Sequence, residues 1–454
     1  MKKRNAVGLL GLIAFLSVTL PAWADRFDEY AGSDAYFVTL PTMGASYFTL
    51  VDSFPAASPD VIDGYALSGR LVAAADSALL IQKNTGANVW LPVATVPSPM
   101  DPSFVRISPD GARVALGAGY MQTLYVFESA DMSVRMPLNL DTAPSVTRVD
   151  VNYYDAVWRD TRYLFVNSGE FTSSRVFAID TSLANPAGHL IEVVSGIPGA
   201  SAGVTFDAQG NLVTGVGYGM DTGELRIYPA ADIAAALAGT TGIDYGDGIL
   251  LAAGVLSASD LGIDADGNLL VAGGDVIGAG EAGYAAVISA EVLERVVRDG
   301  GPPVDEDDPA DLVRLSPASC GIGGFSRVRY VRRVDMILAG CDGGGGAFTG
   351  SLYFPDSAPD ADGDGIPDGA DNASWAANPD QVDTDGDGIG DAGDFDFDND
   401  GIIGRADLSA FVNAFRARTA DAHYERTLDF DRDGDIDRDD ETVLLSRWSL
   451  GPPF

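Results

Sequence analysis

The chain has 454 residues, a hydrophobic fraction of 46% and a formal net charge of −38 at pH 7. A surface this acidic repels polyanions, so nucleic acid and anionic membranes are expected to be poor partners, and no nucleic acid is expected among the ligands. Half of the charge lies from Asp356 onward, so an acidic C-terminal tail follows a larger and less charged body.

The N-terminus has the pattern of an export signal. Residues 1–4 read Met-Lys-Lys-Arg, an apolar run covers residues 6–20, and Ala-Trp-Ala ends at Ala24. This pattern predicts a signal peptide over residues 1–24, cleaved after Ala24. The run is short for a membrane span, and no other segment approaches that length. We therefore expect a secreted protein, extracellular or associated with a cell surface, without insertion into the membrane.

Residues 25–355 repeat a short strand, a polar turn and a second strand. The clearest copies are Phe104–Gly117, Gly203–Gly215 and Leu261–Gly273, spaced within a period of roughly 40–57 residues. Such a repeat predicts a mainly β fold, a β-propeller of six blades with seven as the alternative count. One or two β-sandwiches are the alternative fold. Strands at Tyr36–Leu40 and Tyr47–Val51 are expected to close the ring against the last blade.

Two cysteines, Cys320 and Cys341, lie in the body between Gly-rich stretches. In an oxidising compartment, one disulfide across a β-hairpin is the favoured interpretation. A buried pair of free thiols and a metal site are the alternatives.

The body gives little sign of catalysis, and its catalytic residues are unknown. The chain has only two histidines, His189 and His423, and no Gly-x-Ser-x-Gly motif. We interpret His189 as a loop residue. Paired carboxylates would still permit glycosidase chemistry. The candidates for that role are Asp260, Asp264, Asp266 and Asp275.

The tail contains four copies of Asp-x-Asp-x-Asp-Gly, each closed by an Asp at position 12. Alternate carboxylates before a glycine suit an oxygen cage for Ca²⁺, in which position 7 adds its carbonyl. The alternative is a disordered acidic linker. We expect about four Ca²⁺ ions. The predicted ligands of loops 1 to 4 are, in turn, Asp360, Asp362, Asp364, Ile366, Asp368 and Asp371; Asp383, Asp385, Asp387, Ile389, Asp391 and Asp394; Asp396, Asp398, Asp400, Ile402 and Asp407; and Asp429, Asp431, Asp433, Asp435 and Asp440.

Loops 1 and 2 resemble thrombospondin type 3 repeats. The segments Asp360–Asp368 and Asn378–Asp391 carry this resemblance. It implies a calcium-dependent stalk over residues 356–394. The family often has cysteine just after its loops, where this chain has Ala373 and Gly393. We therefore expect calcium alone to hold the stalk together.

Loops 3 and 4 resemble a dockerin type I module, a pair of calcium loop–helix units, over residues 395–454. The apolar residues after each loop stand at helical spacing: Leu408, Phe411, Val412 and Phe415 after loop 3, and Leu444, Leu445 and Trp448 after loop 4. In such pairs the residue at position 8 forms a short β-bridge. We therefore expect Ile403 to pair with Ile436.

The resemblance implies a cohesin-like partner of atypical specificity. Dockerins of the cellulosome type usually have a hydroxyl pair at positions 10 and 11, where this chain has Arg405-Ala406 and Arg438-Asp439. A purely intramolecular role for the module is the alternative.

The sequence thus favours a secreted calcium-binding protein. Its propeller would present a recognition surface to an unknown extracellular protein or glycan, on a calcium-stiffened stalk with a docking module for extracellular or cell-surface assembly. The alternative is an extracellular polysaccharide-active propeller enzyme, a glycosidase or lyase that uses carboxylates and is delivered by its dockerin-like end.

Overall fold

The fold is described from a computed structural model. It describes residues 26–30, 35–39, 51–53, 71–75, 78–82, 90–95, 102–118, 123–128, 133–138, 152–170, 172–184, 186–200, 202–217, 223–255, 257–273, 284–305, 308–315, 326–331, 335–341, 349–355, 358–398, 403–430 and 433–448. The predicted signal peptide, residues 1–24, lies outside these ranges. So does Cys320, and its disulfide with Cys341 therefore stays a prediction.

The described part of the body consists mainly of short strands. In chain order they are β1 (Ala35–Thr39), β2 (Val51–Ser53), β3 (Leu71–Ala75), β4 (Ala78–Gln82), β5 (Trp90–Thr95), β6 (Pro102–Ile107), β7 (Arg113–Ala118), β8 (Leu124–Glu128), β9 (Ser133–Leu138), β10 (Asn152–Trp158), β11 (Tyr163–Gly169), β12 (Ser173–Asp180), β13 (Ile191–Pro198), β14 (Val204–Phe206), β15 (Leu212–Gly215), β16 (Gly223–Tyr228), β17 (Ile243–Asp244), β18 (Ile249–Val255), β19 (Ala258–Ile263), β20 (Leu269–Gly273), β21 (Tyr284–Ile288), β22 (Leu312–Arg314), β23 (Ser326–Val331), β24 (Met336–Cys341) and β25 (Thr349–Tyr353).

The helices of the described residues are short. They are α1 (Arg26–Tyr30), α2 (Ala230–Leu237), α3 (Ala290–Asp299), α4 (Arg405–Ala414) and α5 (Arg438–Trp448), with 3-10 turns at Pro186–His189, Tyr245–Asp247 and Arg426–Leu428. None of the helices in the described ranges has the length and apolar character needed to cross a membrane.

The sheets follow one another around a closed ring. They are formed by β2–β5, by β6–β9, by β10–β13 with β17, by β14–β16 with β18, by β19–β22, and by β23–β25 with β1. The first strands of successive sheets touch: β2 contacts β6, then β6 contacts β10, and so on through β14, β19 and β23, which contacts β2 again. This ring confirms the predicted propeller arrangement, and it excludes the sandwich alternative.

The blade count differs slightly from the prediction. The prediction was six blades, and five sheets of the described residues are regular four-stranded blades. The remaining sheet has a fifth strand, because β17 pairs in parallel with β13 through Val194 and Ile243. The chain between β16 and β18 contains α2 and β17. It thus adds β17 to the edge of the neighbouring sheet before it rejoins its own sheet as β18.

The N-terminal strand closes the ring. Strand β1 pairs antiparallel with β25, with Ala35 opposite Tyr353 and Thr39 opposite Thr349. This confirms the closing role predicted for the segment at Tyr36–Leu40. Of the second predicted closing segment, Tyr47–Val51, only Val51 lies within the described residues, and there it pairs with Ala73 at the start of the next sheet as part of β2.

The core lies between adjacent sheets. One apolar cluster joins the sheet of β10–β13 to that of β14–β16, and another joins the latter to β19–β22 with α3. In the first cluster the rings of Phe165 and Phe206 pack edge to face, with centroids 4.8 Å apart. Alternating apolar residues on both faces of each sheet allow it to pack against its two neighbours.

Two blades contain the same Asp-x-x-Gly-Asn turn. Asn211 donates to Asp207 at 2.7 Å and accepts the N–H of Ala230, where α2 begins. Asn268 likewise donates to Asp264 and accepts the N–H of Ala290 at the start of α3. The glycines of these turns have φ values of +82° and +90°, which L-amino acids rarely adopt. The turn therefore fixes both the inner hairpin and the helix that follows.

Candidate metal centres

Loops 1 and 2 have the same internal hydrogen bonds. In loop 1, Asp360 accepts the N–H groups of Gly363 and Gly365 at 2.8 and 3.0 Å, and Asp362 accepts that of Asp364 at 3.2 Å. The two glycines have φ values of +77° and +95°, so the loop requires glycine there. The corresponding bonds recur in loop 2.

These bonds gather the carboxylates of each loop. One oxygen each from Asp360, Asp362 and Asp364 lies within 4.8 Å of the others, and the same holds for Asp383, Asp385 and Asp387. Moreover, Oδ2 of Asp362 is buried without a hydrogen-bond partner. Positions 1, 3 and 5 of each loop thus lie close together, and their role as calcium ligands stays a prediction.

Position 9 braces the loop instead of joining this group of carboxylates. Asp368 accepts the N–H of Ala361 at 2.8 Å. Asp391 accepts both the N–H and the hydroxyl of Thr384, each at 2.7 Å. That Asp368 and Asp391 are also ligands stays a prediction.

The closing aspartates of loops 1 and 2 are buried against the other carboxylates of their loops. Asp371 is 1% exposed, and its Oδ2 has no hydrogen-bond partner. Burial raises the pKa of Asp371 to about 6, and the charges of Asp362 and Asp364 add to the shift. Burial likewise raises the pKa of Asp394 to about 8. Among the causes of these two pKa shifts, no positively charged side chain of the described residues opposes the rise, and a bound cation would supply that charge.

Loop 3 gathers a third group. Oxygens of Asp396, Asp398 and Asp407 lie within 4.8 Å of one another, and Asp407 is 1% exposed. Asp407 also accepts the N–H of Gly404 at 2.6 Å, immediately before α4. The other predicted ligands of this loop, Asp400 and Ile402, lie outside the described residues.

Loop 4 is described in part, because Asp431 lies outside the described residues. Asp429 accepts the N–H of Gly434 at 2.9 Å through Oδ2, while its buried Oδ1 has no hydrogen-bond partner. Asp440 is fully buried and accepts the N–H groups of Phe430 and Asp437 at 2.7 and 2.8 Å.

The pairing of loops 3 and 4 corrects the predicted Ile403–Ile436 bridge. The N–H of Ile436 donates to Ala417, and its carbonyl accepts the N–H of Arg416 at 2.6 Å. Both backbone groups of Ile436 are therefore used by the segment that follows α4. Ile403 packs against the apolar core of the module instead.

The stalk has an amide clasp that the sequence analysis did not anticipate. Asn378 is fully buried and donates to Asn372 at 2.6 Å, while Gln381 donates to Asp371 at 2.7 Å. The backbone of Asn378 also donates to Asp364 of loop 1 at 2.7 Å. These amides therefore tie the segment between the two loops to loop 1, and the expectation that calcium alone holds the stalk stays a prediction.

Packing of Ala373 against Gly393 adds to this clasp. Ala373 is fully buried, and a Cβ placed on Gly393 would lie 2.9 Å from the Cβ of Ala373 and 2.9 Å from the ring of Trp375. The two positions thus lie directly against each other. A small residue at Gly393 permits this close approach.

The centre of the propeller contains a buried ion quartet of Arg106, Asp155, Asp260 and Arg329. Arg106 contacts Asp155, and it lies 3.4 Å from Asp260. Arg329 lies 2.5 Å from Asp260 and 3.5 Å from Asp155. The four side chains come from the first strands of four different sheets, and none is more than 9% exposed. The quartet therefore connects blades across the ring.

Backbone groups complete the hydrogen bonding of the quartet. Asp155 accepts the N–H of Val204 at 2.8 Å, and Asp260 accepts that of Val328 at 3.1 Å. Burial raises the pKa of both carboxyls, and the charge of Asp155 helps to raise the pKa of Asp260 to about 8. The neighbouring arginines oppose this rise.

Two of the catalytic candidates of the body, Asp260 and Asp264, have structural contacts in the described residues. Asp260 belongs to the quartet and is 1% exposed. Asp264 holds the turn of Asn268, and Asp275 lies outside the described residues. His189 is exposed at the end of a 3-10 turn, as expected for a loop residue.

The quartet and the clasp were both missed in the sequence. The available signal for the quartet was a charged residue within a strand that is otherwise apolar, as at Arg106 and Asp155. The signal for the clasp was the group of amides at Asn372, Asn378 and Gln381, which lies between two acidic loops.

Comparison with known proteins gives little beyond the geometry. No family model matches the chain, and no curated protein matches it. Solved structures to which the chain is similar include a luciferin-regenerating enzyme, with 10% identity and a TM-score of 0.46, covering 72% of this chain and 97% of that one. Hydrazine synthase of Kuenenia stuttgartiensis has 12% identity and a TM-score of 0.42, covering 66% and 74%. A mitotic checkpoint complex chain has 10% identity and a TM-score of 0.40, covering 79% and 91%.

Proposed function

We propose that this protein is an exported calcium-binding protein, in which a propeller recognition domain is joined to a calcium-dependent stalk and docking module. The observation that carries the proposal is a pair of buried carboxylate oxygens without hydrogen-bond donors, at Asp371 and Asp429. Such an oxygen costs free energy unless a cation compensates it. A cage made only of oxygen atoms suits Ca²⁺ better than a transition metal.

The predicted export supports the same metal. Extracellular calcium modules bind with dissociation constants on the order of 10⁻⁴–10⁻³ M, which are suited to the calcium concentrations outside cells. The loop ligands predicted from the sequence would then be cross-linked by about four ions. Each ion would neutralise carboxylates that otherwise repel one another.

Two equivalent helix faces support a docking role for the module. Val412 and Leu445 are 62% and 52% exposed, the two large apolar side chains that stand out among the described residues. Each lies 16 residues after the first Asp of its own loop, Asp396 or Asp429. The same position on both helices thus presents an apolar side chain to solvent.

The equivalence extends along both helices. Arg405 and Arg438 begin α4 and α5, and both are exposed. The hydroxyls of Ser409 and Thr442 each donate to the carbonyl of the arginine four residues earlier, at 2.7 and 2.9 Å. Each face therefore presents a guanidinium group, a hydroxyl and an apolar side chain in the same order. It fits a protein partner with an apolar recess bordered by carboxylates.

Calorimetric titration of Ca²⁺ into the chelated mature chain, residues 25–454, tests the metal assignment. We expect about four ions per chain, with dissociation constants below about 1 mM. A parallel titration with Mg²⁺ serves as a control, because the smaller ion fits such cages less well. A chain that binds no Ca²⁺ would refute the proposal.

Affinity capture from an extracellular fraction tests the docking role. The mature chain is compared with a Val412→Asp, Leu445→Asp double variant, and with an Arg175→Met variant as the matched surface control. We expect one calcium-dependent partner that the wild type and the control retain, and that the double variant loses. Equal capture by all three proteins would contradict the docking face.

The polysaccharide-active alternative has weaker support. Its candidate Asp260 is 1% exposed and already contacts Arg329 and the N–H of Val328. A carboxylate so placed has no oxygen left for general acid or base work on a glycan.

A further inference from the structure

The boundary between the stalk and the docking module is a single buried residue, Phe395. Loop 2 ends at Asp394 and loop 3 begins at Asp396, so Phe395 alone separates two predicted calcium loops. All three residues are buried, with exposed fractions of 2%, 1% and 9% in chain order. The N–H of Asp396 also donates to Oδ1 of Asp394 at 2.9 Å.

Phe395 is part of the core of the module. Its ring lies 5.0 Å from that of Phe430, and it shares an apolar cluster with Phe411, Ile436 and Leu444. Phe430 is the second residue of loop 4, and its N–H donates to the closing Asp440 of that loop. One side chain therefore connects the end of loop 2 to the inside of loop 4.

A second contact joins the same two regions. Arg426, which precedes loop 4, lies 3.6 Å from Asp380, which precedes loop 2. Both side chains are about half exposed, so this pair contributes little by itself. It does show that the stalk and the module approach each other at more than one point.

We propose that calcium loading of loop 2 and ordering of the docking module are coupled through Phe395. This inference rests on the proposed calcium function. An ion in loop 2 fixes the backbone of Asp394, and this fixes Phe395 at the position that it occupies in the module core. Conversely, a packed Phe395 fixes the closing carboxylate of loop 2. Each event thus lowers the conformational entropy cost of the other.

The stalk is then a part of the docking site as well as a spacer. A partner that requires ordered α4 and α5 would bind more weakly whenever loop 2 is empty, although it touches no residue of that loop. Loop 1 is separated from Phe395 by the whole of loop 2, so its occupancy has a smaller effect on the module.

Hydrogen exchange on the mature chain at graded free Ca²⁺ tests this coupling. The calcium midpoint for protection of α4 and α5 is measured in Asp385→Ala, and in Asp362→Ala as the matched control. Both aspartates stand at position 3 of their loops, and each accepts one N–H from the residue two positions later. We expect the Asp385 variant to raise the midpoint about fivefold or more, the lower range of measured site couplings. The Asp362 variant should leave it within about twofold.

A Phe395→Leu variant completes the test. It retains an apolar side chain at this position but removes the aromatic contact with Phe430. In that background we expect Asp385→Ala to shift the midpoint much less than in the wild type. Equal shifts in the two loop variants, or no shift in either, would overturn the coupling. If Ca²⁺ protects no part of the tail, the proposed calcium function itself fails, and the two failures are distinguishable.

Discussion

Buried aspartates have opposite surroundings in the propeller and in the tail. Asp155 and Asp260 each contact two arginine guanidinium groups and accept a backbone N–H. Asp371 is equally buried, but its Oδ2 has no donor and the charges that raise its pKa come from Asp362 and Asp364. Burial of a carboxylate therefore does not by itself indicate a metal site. The informative feature is whether a positively charged side chain of the protein contacts the buried carboxylate.

Removing calcium is the strongest test of this difference. After chelation we expect the backbone amides of residues 358–448 to lose most of their exchange protection, because mutual repulsion opens the loops. The propeller strands should keep theirs, because their buried charges are compensated internally. Hydrogen exchange with mass spectrometry measures both regions in one sample. An equal loss of exchange protection in the propeller strands would contradict the expected difference between the two regions.

Removing one arginine of the quartet should destabilise the propeller, just as chelation of calcium should destabilise the tail. Arg329→Met leaves Asp260 without its 2.5 Å partner, and we expect the free energy of unfolding to fall by about 3–5 kcal/mol. Urea unfolding at constant calcium measures the change.

The control for this experiment is Arg175→Met, which breaks a largely solvent-exposed pair with Glu192 and should cost at most about 1 kcal/mol. A double variant of Arg329→Met with Asp260→Leu should recover part of the loss, because it also removes the uncompensated charge. A cost for Arg329→Met no larger than that of the control would show that the quartet is unimportant.

A single substitution in the tail sharpens the comparison at one loop. Asp371→Asn keeps the shape of the side chain but removes its charge, and we expect it to weaken calcium binding at loop 1 by about tenfold or more. Calorimetry should then record one fewer tight site. Asp439→Asn, at an exposed position in α5, is the control and should leave the number of sites unchanged.

The smallest expected effect concerns the ion pair of Arg162 and Asp180, in which the arginine is about half exposed. A hydrogen bond from Arg162 is the main cause that lowers the pKa of Asp180 to about 2, from its ordinary value of 3.8. A carboxyl whose pKa is lowered by folding adds stability above pH 4, and this contribution is lost as the pH falls from about 4 to 2. Asp180→Asn should therefore flatten this part of the pH dependence. Urea midpoints at pH 5, 4 and 3 measure the effect, and identical slopes in both proteins would contradict it.

The repeats made the propeller predictable, but they did not reveal its central contacts. The turns around Asp207 and Asp264 fixed the repeating unit, because Gly210 and Gly267 require a left-handed backbone conformation. The quartet could not be predicted, because Arg106 and Arg329 meet the same two carboxylates only after the ring has closed. Their separation along the chain gives no signal of that contact.

In the tail, the short-range geometry was the predictable part. Positions 1, 3 and 5 of loops 1 and 2 converge because glycines and local hydrogen bonds fix the turn. The pairing of Ile436 was not predictable, since it depends on where the segment after α4 lies. The role of Phe395 also requires the packed module, because its partner Phe430 stands in a different loop.

The pairing of β1 with β25 has a consequence for biosynthesis. The strand Ala35–Thr39 is among the first parts of the body to be translated, yet its partner Thr349–Tyr353 is among the last. Ring closure must therefore wait until almost the whole body has left the ribosome. Until then the early strand has an unpaired edge, and an exported chain that crosses its membrane unfolded would complete the ring only on the far side. Chains truncated before Tyr353 should accordingly be open rings and preferred substrates of proteases.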